Sequence, residues 1–206
     1  MIKVAVDSGP LTSDHSVRGI GVNTRELLQG FTSIPHGDIQ IYETNFSNKG
    51  FLGFDVVHFQ YFRPFFADLP PIKPKGKVIL TIHDLIPLIY PKHYPSGIRG
   101  KINFLRNKYL VRKNVDAIVT ISETSKKDIC RFLGVDPKIV HVIYLAPRKI
   151  FQKLDIGPRR LEIAKRYNLP KRFALYVGDV NYNKNIPGLV EACRIVKIHL
   201  VICGKQ

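Results

Sequence analysis

The sequence has little of several residue types, and each shortage excludes a class of protein. It has no tryptophan, one methionine and three cysteines in 206 residues. Cys130, Cys193 and Cys203 are odd in number and far apart, which excludes a disulfide framework and suits a reducing cytoplasm. No apolar run approaches the roughly 18–20 residues that span a bilayer. Residues 1–7 lack the apolar region and cleavage site of a signal peptide, so we expect them to form a first strand.

Acidic residues are also scarce. Asp and Glu total 16 against 32 Lys and Arg, which gives a formal net charge of +16. An excess of this size predicts an anionic partner, and nucleotide phosphates, an acidic membrane and nucleic acid all qualify. A solvated basic face without any partner explains the charge as well. The hydrophobic fraction of 45% is sufficient for an ordinary globular core.

Short β-branched runs alternate with helical patterns along the chain. The predicted strands are residues 3–7, 38–42, 55–59, 77–82, 116–121 and 138–143. Several are almost entirely apolar, as expected for strands that are buried on both faces of a parallel sheet. The alternation predicts an α/β protein with a Rossmann-like, doubly wound and mostly parallel sheet.

Two of the intervening helices have clear signals. Positions 24, 27, 28 and 31 have the i, i+3, i+4, i+7 spacing of one helix face, and this helix should end near Gly30. A later helix should begin at Ser125, which forms a capping-box pattern with Asp128, and should end at Gly134.

The rhythm breaks at residues 145–172, which contain nine basic and two acidic residues and three prolines. This composition predicts a connector with a short helix at 159–167. A strand at 173–177, a helix at 185–196 and a strand at 199–203 follow. Strand, helix and strand in about 35 residues cannot bury both faces of a sheet. We therefore predict a first domain at 1–149, and a linker with an incomplete second Rossmann-like unit at 150–206.

A glycine-containing loop at residues 18–24 is predicted to follow the first strand and to open the first helix. Gly19 and Gly21 would let the backbone approach a ligand closely, and a helix N-terminus offers free N–H groups to a phosphate. A tight turn without a ligand is the alternative. Dinucleotide binding is disfavoured because Thr24 replaces the third glycine of the G-x-G-x-x-G pattern, although Glu43 lies near the end of the second strand.

A His-Asp pair follows the fourth predicted strand. Ligands of open α/β sheets bind beyond the carboxyl ends of the strands, where His83 and Asp84 could hydrogen bond sugar hydroxyls or phosphate. A histidine that only caps the strand end is the alternative, and His58 is placed as ambiguously. No histidine pair has the spacing of a zinc site, so we expect no metal.

The segment from Lys92 to Lys113 contains seven Lys and Arg residues and no acidic residue. Ile102, Leu105 and Tyr109 could share one face of a basic amphipathic helix. Such a helix suits an anionic membrane surface, and a soluble helix with a solvated basic face fits equally well. Nucleic acid is a weaker candidate because no recognised binding module contains the segment.

The last motif is the strand, loop and helix start at residues 176–185. Lys184, near a helix N-terminus, is placed to neutralise a diphosphate, and Asn185 could cap the helix. A surface lysine beside an N-cap residue is also common without any function.

In this order, five segments resemble the retaining glycosyltransferases of family 4, which have GT-B architecture. The resemblance covers essentially the whole chain. The matching segments are residues 19–28, 81–91, 117–128, 142–151 and 177–192.

The resemblance implies an acceptor-binding N-terminal domain and a C-terminal domain that binds a nucleotide-diphosphate sugar. It implies transfer of a hexose to a glycan or lipid-linked acceptor, with retention and without a metal or cofactor besides the donor substrate. It assigns catalysis to His83 and Lys184, donor-phosphate binding to Gly19, Gly21, Asn183 and Lys184, and acceptor binding to Asn23 and Asp84.

Two departures from the family pattern limit this expectation. Asn183 occupies the place where an arginine commonly precedes the lysine, and the acidic E-x7-E motif of the donor domain is absent. We therefore expect little activity from this chain alone, unless a second chain or self-association completes the donor domain. We expect a cytoplasmic location, with peripheral association at the inner face of the membrane as a further expectation.

Two other classes of function remain open from the residues. The first is a non-catalytic module that binds anionic membrane or nucleic acid through its basic face. The second is a nicotinamide-dependent oxidoreductase, which Thr24 disfavours.

Overall fold

The computed structural model describes residues 1–14, 16–35, 37–48, 50–148, 150–153 and 157–204. The chain forms two compact units, Met1–Arg148 and Lys149–Gln206, and each unit is described here by itself. Lys149, at the predicted domain boundary, lies outside the described residues. The assignment of an acceptor role and a donor role to the two parts stays a prediction.

The first unit alternates strands and helices. Its strands are β1 (Ile2–Asp7), β2 (Ile39–Thr44), β3 (Val56–Phe59), β4 (Lys77–Thr81), β5 (Ala117–Thr120) and β6 (Val140–Val142). Its helices are α1 (Gly9–Thr12), α2 (Gly19–Thr32), α3 (Ile86–Ile89), α4 (Gly97–Asn114) and α5 (Glu123–Leu133), with 3-10 turns at Phe46–Asn48 and Pro137–Ile139.

The six strands form one sheet in the order β2-β1-β3-β4-β5-β6. Every pairing is parallel, from Ile2 beside Ile39 at one side to Ile118 beside Val140 at the other. The predicted Rossmann-like, doubly wound α/β fold is therefore confirmed. The last strand is shorter than the predicted 138–143, because Pro137 begins a 3-10 turn that occupies the first part of that segment.

A single apolar cluster holds the helices α4 and α5 to one face of this sheet. Val57, Leu80 and Ile118 come from three adjacent strands, while Val111 and Ile129 come from the two helices, and all five are fully buried. Burial of an aliphatic side chain stabilises a fold by about 1.5–3 kcal/mol. This cluster therefore fixes the sheet and, with it, the positions of the loops that follow each strand.

The start of α2 differs from the prediction. The segment 18–24 was expected to be a loop, but Arg18 is the N-cap residue and the helix begins at Gly19. The Val22 N–H already donates to the Arg18 carbonyl over 3.0 Å. The helix also continues past Gly30 to Thr32, because a glycine weakens a helix by only about 1 kcal/mol and does not end it.

The start of α5 also differs. The capping residue is Ser122, whose Oγ accepts from the Ser125 N–H over 3.1 Å, so the predicted capping box at Ser125 and Asp128 is wrong. Ser125 instead lies buried in the first turn. The predicted end is right: Gly134 has a left-handed φ of 67°, which glycine adopts without steric cost.

The second unit contains α6 (Gly157–Arg166), β7 (Phe173–Val177), a 3-10 turn (Tyr182–Lys184), α7 (Ile186–Ile195) and β8 (His199–Cys203). The strands β7 and β8 pair in parallel, as a strand-helix-strand unit requires. Asn185 is at the N-cap position of α7 with a φ of 49°, but its side chain makes no capping hydrogen bond. The prediction that this side chain caps the helix is therefore wrong.

Among the described residues, no helix combines the length and the apolarity that crossing a membrane requires.

Side chains of α4 hold the segment that follows β3, and the most deeply buried of them is the amide of Asn107. Asn107 is fully buried, and its Nδ2 donates to the carbonyls of Pro64 over 3.0 Å and Phe66 over 2.6 Å. Two carbonyls of a chain turn without regular structure thereby gain a donor. Asn107 therefore holds residues 64–66 together with Asn103, which donates to the Phe65 carbonyl over 3.1 Å.

We expect Asn107→Leu to lower the free energy of unfolding by roughly 2–3 kcal/mol, because it leaves buried carbonyls without a donor. Urea denaturation followed by circular dichroism measures the change. The control is Lys101→Leu, at an exposed position of the same helix. Equal stability of the Asn107 variant and the wild type would contradict this role.

Candidate substrate site at the carboxyl edge of the sheet

All six strands end at the same edge of the sheet, which we call the carboxyl edge. The strand order reverses direction between β1 and β3, since β2 lies on one side of β1 and β3 to β6 follow on the other. In open α/β sheets this reversal opens a crevice, and ligands bind there beyond the strand ends. The topology therefore points to Asp7, the last residue of β1, and to the residues just after Phe59 of β3.

A cavity of about 440 Å³ lies at this reversal. Its walls include Asp7 at the end of β1, Tyr61 just after β3, and three phenylalanines. The rings of Phe46 and Phe59 meet edge to face at 4.9 Å, and Phe51 meets Phe46 at 5.5 Å. We call this cavity the aromatic pocket.

The carboxyl group of Asp7 is almost completely buried in the wall of the aromatic pocket. Its Oδ1 accepts from the Gly9 N–H over 2.9 Å and from the Phe46 N–H over 3.2 Å. Burial raises the pKa of Asp7, and these two hydrogen bonds offset part of that increase. Both hydrogen bonds end on the same oxygen, which leaves Oδ2 as an acceptor.

Two arginines line the same pocket. Arg63 forms a bidentate ion pair with Asp68, with Nη2 and Oδ1 2.6 Å apart. Arg106 of α4 donates from Nη2 to the Leu69 carbonyl over 2.9 Å. Its Nη1 is buried without a hydrogen-bond partner among the described residues. A buried guanidinium N–H without a partner is costly, which indicates a place for an acceptor from a ligand.

His58 has a structural environment. It is buried in β3, and its Nε2 lies 2.8 Å from the Thr81 hydroxyl on the neighbouring strand. Burial lowers the pKa of His58 to about 4, so the ring is neutral at physiological pH. His58, whose role the sequence left ambiguous, is therefore part of the interior of the sheet.

His83 follows β4 at the carboxyl edge, as its place in the sequence indicated. Its ring hydrogen bonds the main chain of Gln60, while its Nε2 is buried without a partner among the described residues. Burial lowers the pKa of His83, against a smaller raising effect of the Asp84 charge. Asp84 is exposed, and its Oδ1 accepts from the Ile86 N–H over 3.1 Å at the start of α3.

The start of α2 contains three predicted binding residues, with Gly19 and Gly21 in the first turn and Asn23 just beyond it. Gly19 is exposed, and a Cβ added there would meet nothing within 4 Å, so the space beside it is open. Gly21 is buried, and Asn23 is half-buried. The N–H groups of a first helical turn lack intrahelical acceptors and can bind an anion.

Asn183 and Lys184 belong to the second unit. They lie in the 3-10 turn between β7 and α7, where Lys184 is exposed and Asn183 is half-buried. The Lys184 N–H donates to the Asn181 carbonyl over 3.0 Å, which fixes the turn and leaves the ammonium group in solvent. No group of three potential metal ligands occurs among the described residues.

The structure thus brings His83 and Asp84 to the carboxyl edge of the first unit and puts Gly19, Gly21 and Asn23 in α2. Sequence reasoning missed the aromatic pocket. The signal available for Asp7 was a carboxylate at the end of an apolar strand, directly before Ser8 and Gly9. Arg106 offered no such signal, because its role depends on contacts with residues far away in the sequence.

An all-parallel six-stranded α/β unit with a polar carboxyl edge defines a Rossmann-like binding domain. The family description "Glycosyltransferase Family 4" matches residues 17–146. This match covers more than half of the chain, and the protein belongs to glycosyltransferase family 4.

Two curated proteins from Escherichia coli, each named serotype-specific mannosyltransferase WbdA, are 27% identical to the chain over 135 residues. The match covers 65% of this chain and 16% of each relative's length. The crystal structure of Alr3699/HepE from Anabaena, in complex with UDP and glucose, aligns with the whole chain and 70% of that protein. The alignment has 13% sequence identity and a TM-score of 0.46.

The low pKa of His58 predicts a dependence of stability on pH. Between pH 6.5 and about 4 the unfolded chain binds a proton at this residue that the folded chain does not bind. The free energy of unfolding should therefore fall as the pH is lowered through this window, by up to about 1.4 kcal/mol per pH unit from this group. Urea denaturation at several pH values should give a flatter dependence for His58→Gln. Parallel curves for both proteins would contradict the assignment.

Proposed function

We propose that this chain is the acceptor-side part of a glycosyltransferase. The complete enzyme transfers a hexose from a nucleotide-diphosphate sugar to a glycan or lipid-linked acceptor. The observation that carries the proposal is the family match at residues 17–146, which covers five of the six strands, β2 to β6, and includes His83 at the carboxyl edge. The name of the mannosyltransferase relatives supports a hexose, and we propose a role in polysaccharide synthesis, which their serotype-specific description supports.

In this proposal His83 hydrogen bonds the transferred sugar or the leaving phosphate. Burial keeps its ring neutral near pH 7, and its Nε2 has no partner among the described residues, so this atom is available to a substrate. The open first turn of α2 at Gly19 would face the donor phosphates. Asn23 and Asp84 would contact the acceptor.

Lys184 would stabilise the charge that develops on the diphosphate leaving group. Its exposed ammonium group supports this role, because a fixed cation can stabilise a leaving phosphate without a metal ion. Asn183 would add a hydrogen bond to the same phosphates. We propose that the reaction requires no metal or cofactor besides the donor substrate and that the sugar is transferred with retention of configuration.

We further propose that the 206 residues transfer little sugar by themselves. The support is the absence of an E-x7-E motif from the sequence and the small second unit, in which two strands are described. A second chain or self-association would supply the remainder of the donor site. We propose that the protein works in the reducing cytoplasm, and its three free cysteines support this location.

The test incubates the purified chain, alone and with any chain that copurifies from its source cells, with a panel of nucleotide-diphosphate hexoses and saccharide acceptors. Mass spectrometry detects the product, and NMR of its anomeric proton reports retention. We expect low turnover alone and transfer with the completing chain. His83→Ala should reduce kcat of the completed enzyme roughly 100-fold, by loss of a hydrogen bond to the transition state.

The matched control is His141→Ala, because His141 is exposed on β6 and has no assigned role. Its kcat should equal that of the wild type. Rapid transfer by the 206-residue chain alone would contradict the proposed dependence on a second part. Wild-type kcat in the His83 variant would contradict the catalytic assignment.

A second proposed property is peripheral binding to an anionic membrane through α4. Four large apolar residues of this helix are exposed and follow the i, i+4, i+7, i+11 spacing of one face. They are Ile98, Ile102, Leu105 and Tyr109, which are 80%, 60%, 66% and 58% exposed. We call them the α4 stripe.

Basic residues surround the α4 stripe. Lys101, Lys108, Arg112 and Lys113 lie on the same helix, and no acidic residue occurs from Lys92 to Lys113. Apolar side chains that enter the headgroup region, together with lysines that contact anionic lipids, are the features of an interfacial helix. A nucleic acid would contact the basic residues and gain little from the exposed isoleucines and leucine, so the membrane is the favoured partner.

We expect the chain to sediment with vesicles that contain anionic phosphatidylglycerol and not with vesicles of phosphatidylcholine alone. The double variant Ile102→Ser, Leu105→Ser should lose most of this binding, because about 25 cal/mol is lost per Å² of apolar surface that no longer enters the lipid. The control is Ile72→Ser, at a position that is 80% exposed outside α4.

Two results would contradict the membrane proposal. One is the absence of sedimentation with anionic vesicles at low salt, where electrostatic attraction is strongest. The other is equal binding by the double variant and by the control, which would assign the binding to charge alone.

A further inference from the structure

We propose that the aromatic pocket binds the acceptor of this glycosyltransferase through an uncharged hexose unit. The inference rests on the proposed function and deepens it, because it names the residues that bind the acceptor and restricts the bound unit to an uncharged hexose, which neither the family match nor the relatives assign. It is carried by the position of the pocket, its aromatic wall and its balance of charged groups.

The position of the aromatic pocket supports the proposal. The pocket lies beyond the carboxyl ends of the neighbouring strands β1 and β3, with Asp7 as the last residue of one strand and Phe59 as the last residue of the other. This is the topological switch point of the sheet, at which α/β proteins bind their ligands. The volume of about 440 Å³ falls within the range of roughly 300–1,000 Å³ that small-molecule sites occupy.

The aromatic wall suits a sugar ring. Phe46, Phe51 and Phe59 form a cluster with centroid separations of 4.9–6.0 Å, and the Tyr61 ring lies in the same wall. Aromatic faces carry partial negative charge, and the axial C–H groups of a pyranose carry partial positive charge. A hexose can therefore stack with its C–H face on Phe51 or Tyr61, which are half-buried, while its hydroxyls remain for polar contacts. Phe46 and Phe59 are buried and support the Phe51 ring from the core.

A hydrogen-bond acceptor and a hydrogen-bond donor are both present beside this wall. Oδ2 of Asp7 can accept from a sugar hydroxyl, since the described backbone donors both use Oδ1. Nη1 of Arg106 can donate to another hydroxyl, and within the described residues it has no acceptor. A hydroxyl both donates and accepts, so a polyol satisfies a carboxylate and a guanidinium together.

The charge balance distinguishes a neutral sugar from an anion. The chain as a whole has a formal net charge of +16, yet the pocket contains two carboxylates, Asp7 and Asp68, and two guanidiniums, Arg63 and Arg106. Asp68 also neutralises Arg63 directly. A phosphate or a uronate in this pocket would meet the buried Asp7 carboxylate, which disfavours it.

The pocket adjoins the helix that we propose to bind membrane. Arg106 lines the pocket from α4, and Leu105 on the same helix belongs to the exposed stripe. One helix thus has a residue in the saccharide pocket and its sequence neighbour on the exposed surface. This arrangement fits an acceptor whose sugar is attached to a lipid in the membrane.

Saturation-transfer difference NMR tests the proposal on the 206-residue chain, with the disaccharides mannobiose, maltose and cellobiose as probes. We expect at least one of them to bind, without competition from inorganic phosphate. Asp7→Asn retains an oxygen for the Gly9 and Phe46 N–H groups and replaces the second acceptor by a donor. It should raise the dissociation constant about tenfold, and Phe51→Ala should raise it to a similar extent.

The matched control is Asp116→Asn, because Asp116 precedes β5 at the opposite edge of the sheet. It should bind disaccharides like the wild type. Thermal melting checks that each variant is folded. Absence of binding by the wild type, equal loss in the Asp116 control, or displacement by phosphate would each overturn the proposal.

The pocket and the proposed function fail separately. Transfer by the completed enzyme with an unchanged acceptor KM in Asp7→Asn would reject the pocket and retain the transferase. Disaccharide binding that depends on Asp7, without hexose transfer from any donor in the panel, would reject the transferase and retain the pocket as a saccharide site.

Discussion

Six strands that run in the same direction require every strand-to-helix connection to lie at one edge of the sheet. The apolar cluster between the sheet and α4 and α5 stabilises this arrangement of the first unit. Asp7, Phe59 and His83 are 24 or more residues apart along the chain, yet parallel pairing puts all three at the same edge. The chemistry of the unit is therefore concentrated where the sheet ends.

The helix α4 connects that edge to the surface. On its inner side, Asn107 and Arg106 hydrogen bond the carbonyls of Pro64, Phe66 and Leu69, so they determine the shape of the segment after β3. On its outer side, the α4 stripe is exposed among basic residues. The same helix thus forms part of the pocket wall and presents the surface proposed to bind membrane.

Local sequence patterns were sufficient to predict part of the fold. Apolar runs located the strands, and the Gly134 signal located the end of α5. Ser122 was missed as the N-cap because N-cap positions prefer serine, and both Ser122 and Ser125 satisfy this preference. The two are distinguished by the burial of Ser125 in the first turn of α5. The aromatic pocket was missed for a related reason: Asp7, Phe51 and Arg106 meet only through tertiary structure, and no spacing in the sequence encodes that contact.

The most direct test of a substrate-binding carboxyl edge is amide chemical-shift mapping of the 206-residue chain by NMR, during titration with a hexose disaccharide. We expect the largest shifts at residues 7–9, 46 and 59–63, around the switch point between β1 and β3. Shifts confined to residues 53–55 and 75–77, at the opposite edge, would contradict it, as would a spectrum that does not change.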